Sequence, residues 1–474
     1  MNFQDMSVSV LGMGRSGLAL TRELSSRGAR VLISDSRPRE ELNPALEELG
    51  GLSVEVEVGG HSDRVLQADL LVLSPGVPVH HPLVKEACRR GLPVMGEVEI
   101  AWRLSGVPFI AVTGTNGKST TVTLIDRILG ERSILAGNIG NPLVGEVAQA
   151  PPGGYVVAEI SSFQLETVHA FQPRIAVLTN LTPDHLDRHA DLEEYFAAKA
   201  RLFARQGPQD VAVISSDDPQ ASRLADLLES HNLPGWLPGF PPPDRPACPE
   251  ILRFSVRGPV LKGAWFVDGA LWYRGKSGSE RLFDWGFPGL PGPHNLANSL
   301  AAVAVARWLG IPAGVIHSAL EAHIPLHHRM EEVGRPGGVL FVNDSKSTNP
   351  ASVQAALESY QAPILLIAGG KDKGTDFSGL GRCIARRART LLVLGEAADR
   401  LAESARVAGM NSIIRCASLQ EAVVVAWKNA QPGDVVLLSP ACASYDMFRN
   451  AEERGRLFAQ AVRCLEEAHP GALG

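Results

Sequence analysis

The sequence predicts an α/β protein built from three domains. Its 474 residues suggest about three units of about 150 residues each. Short apolar runs alternate with amphipathic stretches along most of the chain, the pattern of parallel strands joined by crossover helices. Glycine-rich turns follow an apolar run in two separate places, at residues 12–17 and 113–117.

In the first hundred residues SVSVLG, RVLISD, SVEVEVGG and LLVLSPG read as strands, with LALTRELSSRG a helix after the first. A second set, FIAVTG, SILAGN, YVVAEIS, RIAVLTN and VAVISS, has the continuous apolar character of strands buried on both faces. A third set comprises GVLFVND, APILLIAGG, TLLVLGE and DVVLLSP. The three sets place the domains at 1–96, 97–325 and 326–474. One stretch, LPGWLPGFPPPDRPACP (233–249), is too proline-rich for a helix or central strand and reads as a surface loop or strap. After it, AWFVDGALWYRG places two apolar runs around Asp268-Gly269 and predicts a β-hairpin at the edge of the central domain.

Composition is that of a globular protein, 45% hydrophobic and 20% charged, with a net charge of −6. With no basic block, nothing points to a nucleic acid or a membrane surface as partner. The N-terminal MNFQDMSVSV lacks the basic segment and apolar core of a signal peptide, and no apolar run is long enough to cross a bilayer. A cytoplasmic protein is expected. The six cysteines are scattered without a C-x-x-C pair and are expected to be reduced, mostly buried thiols.

The stretch VTGTNGKSTT (112–121) lies between the apolar run FIAVTG and the amphipathic run TVTLIDRILG, the strand–turn–helix order that a phosphate loop needs. It is a shortened loop, because Val112 stands where the general motif has its first glycine. Backbone N–H groups of Gly114, Thr115, Asn116 and Gly117 would favour an anion. Lys118 could reach the terminal phosphates of a nucleotide, and the hydroxyl of Ser119 or Thr120 could hold Mg²⁺. GMGRSG (12–17), with Asp35 ending the next strand, matches a dinucleotide turn with an acid on the ribose. Any diphosphate fits such a turn at a helix N-terminus. Two phosphate-reading turns on separate domains suit an enzyme with two substrates, one nucleotide being the energy source and the other a handle.

Glu159 follows the strand YVVA, a common place for a carboxylate that holds Mg²⁺. NLTPDHLDRH (180–189) follows the strand RIAVL and carries His185 and His189 four residues apart. A helical zinc pair is one reading of that spacing; a place for His185 at a magnesium–phosphate site is better supported by position. Lys199, in EYFAAKARLF, sits among apolar residues on a predicted helix. By residue type it reads as a snorkelling surface lysine. Were it buried, its amine would be neutral and could take up CO₂ as a carbamate, an anionic metal ligand. Three polar clusters follow apolar runs in the last third: residues 343–349, 369–373 and 439–445. Loops at the carboxyl ends of parallel strands are where open α/β sheets bind ligands. Asn349-Pro350 also reads as a helix cap and first helical residue, which leaves Asp344, Lys346 and Lys373 unexplained. A nucleotide-dependent switch would account for Lys118 and Glu159 but not for the N-terminal turn or these clusters. An NAD-linked dehydrogenase would rest on GMGRSG.

Taken in order, GMGRSG, SPG, TGTNGKST, GNIG, EISSFQLE, NLTPDHLDRH, the lysine of AAKARLF, PHN, HHRME, NDSKSTN, GGKDKGTDF and SPACASYD form a specific set. By that set the chain resembles, nearly end to end, the ATP-dependent Mur ligases of peptidoglycan synthesis. EISSFQLE and the GG-x-x-K turn resemble the D-glutamate-adding branch. The resemblance implies an N-terminal Rossmann-like domain for a UDP-substrate, a central P-loop ATPase-like parallel sheet for ATP, and a C-terminal Rossmann-like domain for the amino acid. It implies a monomeric ligase that joins D-glutamate to UDP-N-acetylmuramoyl-L-alanine through an acyl phosphate, using ATP and two Mg²⁺ ions, and so serves cell-wall biogenesis, cell shape and division. By the same resemblance Lys118 would contact the transferred phosphate, and Ser119, Glu159 and His185 would line the magnesium site. Lys199 would be the carbamylated lysine of the family, against the reading by residue type. Asn295 would hold adenine, and Arg329 and Asp344 would contact the phosphates and ribose of ATP. Arg15, Ser16, Asp35, Ser36 and Arg37 would surround the uridine diphosphate, with Gly76 nearby and Asn138 further along that substrate. Thr348, Lys373, Ser444 and Tyr445 would bind D-glutamate. Arg15 and Tyr445 depart from the family pattern, and Ala451 stands where some members present a phenylalanine.

Overall fold

The computed structural model describes residues 1–185, 188–230 and 248–468. They form two compact units, Met1–Trp285 with Ala297–Ala319, and Gly286–Leu296 with Leu320–Gly474. Three sheets build them, two in the first unit and one in the second.

The first sheet holds β1 (Ser7–Leu11), β2 (Arg30–Asp35), β3 (Glu55–Val58), β4 (Leu70–Leu73) and β5 (Val94–Gly96), all parallel, in the order β3-β2-β1-β4-β5. The order reverses beside β1, so the loops after β1 and β4 open the crevice where such sheets bind ligands. Gly12, at φ +92°, makes the turn after β1. Gly17, buried in the helix Arg15–Ser26, packs so closely on it that a Cβ would run into the Gly12 carbonyl oxygen.

The second sheet has nine strands: β6 (Phe109–Thr113), β7 (Ser133–Gly137), β8 (Tyr155–Glu159), β9 (Ile175–Leu178), β10 (Val211–Ser215), β11 (Glu250–Ser255), β12 (Gly263–Val267), β13 (Ala270–Gly275) and β14 (Gly278–Asp284). Their order is β14-β13-β12-β11-β10-β9-β6-β8-β7, parallel from β7 to β12 and antiparallel beyond. All five apolar runs predicted for this region are strands, buried on both faces along β6, β9 and β10. The predicted hairpin is β12–β13, with Val267 opposite Ala270 and positive φ at both Asp268 (+49°) and Gly269 (+78°), the primed turn that matches strand twist. One apolar core runs from Phe3 through Phe109 to Leu228 and joins the first sheet to the second.

The third sheet comprises β15 (Glu331–Gly334), β16 (Leu340–Asn343), β17 (Ile364–Gly369), β18 (Ala388–Leu394), β19 (Ile413–Arg415) and β20 (Val435–Leu438) in the order β15-β16-β20-β17-β18-β19. Only the edge strand β15 is antiparallel among them. Asn349 caps the helix Pro350–Glu358, its side chain accepting from the Ser352 amide at 2.9 Å, as its sequence implied.

The three-domain α/β fold is therefore as expected. Strands β5, β11, β14, β15 and β19 were not anticipated: β5, β14, β15 and β19 are short or charged edge strands, as in GSERLFD of β14, and β11, though inside the sheet, carries Glu250 and Arg253 and has no continuous apolar run. Residues 233–247 of the proline-rich stretch lie outside the described residues. The six cysteines are free thiols, but the expectation that most are buried holds for only three of them, Cys383, Cys416 and Cys442. Among the described residues no helix is long and apolar enough to cross a membrane.

The contact of Gly17 with Gly12 yields a stability prediction. Gly17→Ala should destabilise the first unit by about 1–3 kcal/mol through overpacking, read as an earlier denaturation transition in urea. An unchanged midpoint would mean that the turn relaxes without loss.

Candidate functional site

The phosphate-type loop connects β6 to the helix Lys118–Leu129. β6 lies between β8 and β9, so the loops leaving these three neighbouring strands emerge together. The loop is shaped by two glycines. Gly114 has φ +150°, and a Cβ there would collide with the Thr179 hydroxyl; Gly117 has φ +83°, and a Cβ would collide with the Asn298 side chain. The segment after β9 holds the loop from below. The Asn180 carbonyl accepts from the Thr115 amide at 3.0 Å, its side-chain oxygen accepts from the Asn116 amide at 2.9 Å, and the Thr179 hydroxyl donates to the Asn116 carbonyl at 2.6 Å. Thr115 Oγ1 donates to the Thr182 carbonyl at 3.0 Å. Ser119 is buried in the first turn of the helix and Thr120 half-buried beside it.

Two lysines converge on one carbonyl. Lys118 Nζ donates to the oxygens of Gly114 and Thr115, both at 2.9 Å, and Lys199 Nζ donates to the same Gly114 oxygen at 2.9 Å. Lys199 lies on the helix Leu192–Ala200, is only 1% exposed, and sits 4.6 Å over the Tyr195 ring. The snorkelling surface lysine suggested by residue type is thus corrected: the helix turns this position inward. Burial, and next the charge of Lys118, push the Lys199 amine well below the usual lysine range.

Glu159 ends β8 and is buried. Its Oε1 accepts from Asn138 Nδ2 at 2.6 Å; its buried Oε2 has no hydrogen-bond partner among the described residues. A buried carboxylate oxygen without a donor is unfavourable unless a cation supplies the missing contact. The hydroxyl and carboxylate oxygens of Ser119 and Glu159 are hard donors suited to Mg²⁺, which keeps waters and phosphate oxygens as further ligands; the imidazole of His185 is a softer donor. Asn138, expected along the UDP-substrate, stands directly on this carboxylate.

His185 has φ +55°, its ring 4.9 Å from that of Phe163. His189 is buried, with Nε2 3.0 Å from the Ser162 hydroxyl, and burial brings its pKa down to about 4. The zinc-pair reading is not supported by this geometry, because His185 lies outside the helices and His189 is engaged by Ser162. Among the described residues no group of three or more His, Cys, Asp or Glu side chains could hold a metal by itself.

At the N-terminal turn, Asp35 accepts from the Met13 amide at 2.7 Å and from Arg37 Nη2 at 2.8 Å. Burial opposes its ionisation, but the bonds from Arg37 and Met13 outweigh it and hold the carboxyl at about 2. Ser36 and Arg37 are exposed next to it. Ser16 donates to buried Glu97 at 2.6 Å, and Arg15 to the Gly140 carbonyl at 2.6 Å. Gly76, in the loop after β4, accepts from Arg188 at 3.5 Å, as does Pro75 at 3.2 Å. Arg188 and Glu97 were not singled out from sequence. Each acts on residues about 80 to 110 positions away, a separation that no local pattern signals.

In the second unit the clusters after β16, β17 and β20 lie on adjacent strands. Asp344 is buried, accepts from the Ser439 hydroxyl at 2.8 Å, and is pushed by burial up to about 6. Thr348 and Lys373 are half-buried, Ser444 is buried, and Tyr445 is exposed. Asn295, at the start of the helix Pro293–Trp308, is buried and donates to the Pro291 carbonyl at 2.8 Å. The Arg329 amide donates to the Leu326 carbonyl at 3.0 Å just before β15.

Comparison with known proteins agrees with this layout. Three family models match in chain order: Mur ligase MurD-like, N-terminal domain, at residues 6–96; Mur ligase middle domain at 112–245; and Mur ligase, glutamate ligase domain, at 328–442. The chain is 43% identical over 470 residues to the UDP-N-acetylmuramoylalanine–D-glutamate ligase of Pelotomaculum thermopropionicum, covering 98% of this chain and 99% of that one. It is 41% identical to the same-named protein of Symbiobacterium thermophilum, covering 96% and 98%. Among solved structures, UDP-N-acetylmuramate-alanine ligase from Thermotoga maritima aligns with TM-score 0.58 at 18% identity, over 97% of this chain and 99% of that one. MurF ligase from the same organism, in complex with ADP, aligns with TM-score 0.56 at 18% identity, over 98% and 96%. These two share the fold. Matched along almost its whole length by relatives of this identity, and by the three models in order, the chain belongs to the Mur ligase family.

Proposed function

We propose that this chain is the ATP-dependent ligase that joins D-glutamate to the alanyl carboxylate of UDP-N-acetylmuramoyl-L-alanine in peptidoglycan synthesis. Relatives alike along their full length carry that name. The observation that carries the chemistry is the meeting of Lys118 and Lys199 on the Gly114 carbonyl, in a sheet where Glu159 ends the strand next to β6. In this reading residues 1–96 receive the UDP-substrate, 97–325 receive ATP, and 326–474 receive the amino acid.

The alanyl carboxylate attacks the γ-phosphorus of ATP to give an acyl phosphate and ADP. The amine of D-glutamate then attacks the activated carbonyl and phosphate leaves. The first step brings two anions together, so positive charge must be in place beforehand. The N–H groups of the loop and helix start that Asn180 does not take seat the phosphates, and Lys118 exchanges its carbonyl contacts for the transferred group. Ser119, Glu159, His185 and Lys199 as a carbamate would hold Mg²⁺, which when bound neutralises charge on the phosphate oxygens. Lys199 suits that role because burial disfavours its ammonium form: the neutral amine can add CO₂, releasing a proton, and the carbamate so formed is an anionic oxygen donor. Asn295 would take adenine, with Arg329 and Asp344 on phosphates and ribose. Arg15, Ser16, Asp35, Ser36, Arg37, Gly76 and Asn138 serve the UDP-substrate, and Thr348, Lys373, Ser444 and Tyr445 serve D-glutamate.

ADP release measured with UDP-N-acetylmuramoyl-L-alanine and a panel of D- and L-amino acids tests the reading directly. Turnover should require D-glutamate; equal ADP release with no amino acid present would favour a nucleotide switch instead. Lys118→Ala should lower kcat on the order of 10³-fold by removing charge from the transferring phosphoryl group, while calorimetry finds UDP-substrate binding unchanged. Near-normal turnover would take Lys118 out of the mechanism. Lys199→Ala should lose on the order of 10²-fold in kcat and recover part of it in formate or acetate, whose carboxylate replaces the carbamate. With ¹³CO₂, the unmodified chain should show a carbamate carbon signal by NMR that the variant lacks; activity untouched by the substitution would make Lys199 a bystander.

A further inference from the structure

Arg454 has no part in the function derived above, yet it is 2% exposed and carries a guanidinium into the centre of the second unit. It lies in the first turn of the helix Ala451–Ala468. Its four hydrogen bonds among the described residues all end on neutral oxygens. Nε donates to Ser345 Oγ at 3.0 Å and Nη2 to the Ser345 carbonyl at 2.8 Å; Nη1 donates to the carbonyls of Cys442 at 3.1 Å and Ala443 at 3.5 Å. Ser345 Oγ in turn donates to the Ala451 carbonyl at 2.7 Å, closing the ring back onto the helix. The third polar loop also meets this group. A Cβ on Gly370, at φ +140°, would stand 3.3 Å from Arg454 Nη1, and the Lys371 amide donates to the Ala443 carbonyl at 2.9 Å. Arg454 thus bonds the loops after β16 and β20 directly, and the loop after β17 joins them through the Ala443 carbonyl that Arg454 also holds.

A guanidinium buried among neutral acceptors is costly, because its charge leaves water without an ion-pair partner in contact. Burial lowers its pKa only to about 10, so it remains a cation at neutral pH. What arginine offers for that cost is a planar fork with five donors, able to bind several backbone oxygens in fixed directions; the point charge of lysine cannot span them.

We infer that Arg454 is the positioning residue that holds the three loops of the amino-acid site in register, and thereby sets the affinity for the amino acid. The inference rests on the assignment of Thr348, Lys373, Ser444 and Tyr445 to D-glutamate. Arg454 acts through those loops and touches no reacting atom.

The test uses the full-length chain with Arg454→Gln and Arg454→Lys and two readouts. The first is acyl phosphate formed without D-glutamate and trapped by hydroxylamine, which displaces phosphate to give a hydroxamate. The second is the KM for D-glutamate from ADP release. Arg454→Gln should raise that KM about tenfold or more and Arg454→Lys by less, with the trapped rate within about twofold of the unmodified chain, because Asp344, the ATP residue in these loops, is held by Ser439 and the Met330 amide rather than by Arg454. An unchanged KM in both variants overturns the inference, as does an equal loss in both readouts, which would make Arg454 a residue of the fold alone. Should Arg454→Gln fail to fold, Arg454→Lys is judged by the same two readouts. An unmodified chain that traps no hydroxamate, or releases ADP without an amino acid, refutes the underlying function and is distinct from either result.

Discussion

The site of the first unit depends on a loop that has no room for side chains at two points. Gly114 and Gly117 take backbone angles that L-residues avoid, and each presses against a neighbour, Thr179 and Asn298, with which a methyl group would collide. This close approach lets Asn180 bond the amides of Thr115 and Asn116. A loop tied to the next strand at successive residues keeps its shape before any ligand arrives, and its remaining N–H groups stay aligned at a helix start, where the partial positive charge of the helix favours an anion.

Around that loop burial shapes the electrostatics. Two lysine nitrogens share the Gly114 carbonyl, and only Lys118 keeps partial contact with solvent. Lys199 is enclosed, so its charge is disfavoured both by lost hydration and by its neighbour. On the neighbouring strand β8, Glu159 presents a buried oxygen with no donor among the described residues. A buried amine whose charge is disfavoured and an unsatisfied carboxylate oxygen are each unfavourable for stability alone. Buried groups whose charge is poorly compensated in this way cluster at functional sites.

The second unit repeats the layout with another solution. Here too the polar loops leave adjacent parallel strands, but a single arginine from a distant helix ties them rather than one strand holding the next. The left-handed backbone at Ala441 (φ +62°) belongs to the same network, since its amide donates to the Ser347 carbonyl at 3.0 Å. Strain at a residue without glycine's freedom persists where the surroundings hold it on several sides.

Local physical chemistry made much of this readable in advance. Continuous apolar runs such as FIAV, RIAVL and VAVIS are strands because only a doubly covered sheet buries them on both faces, and glycine at 114 and 117 announces a turn that a Cβ would forbid. Asn349-Pro350 capped its helix as the residue types imply. Short or charged edge strands such as β14 were illegible, since pairing partners rather than composition make them strands. Whether Lys199 faces water or the core, that Asn138 rests on Glu159, and that Ser16 meets Glu97 were decided only when distant segments packed. The sequence by itself determined the strand runs, the turns and the chemical repertoire, because these follow from side-chain volume, backbone freedom and periodicity within a few residues. The tertiary structure alone decided which charges are buried and which loops share a partner, because desolvation and hydrogen bonding depend on neighbours up to about a hundred residues away.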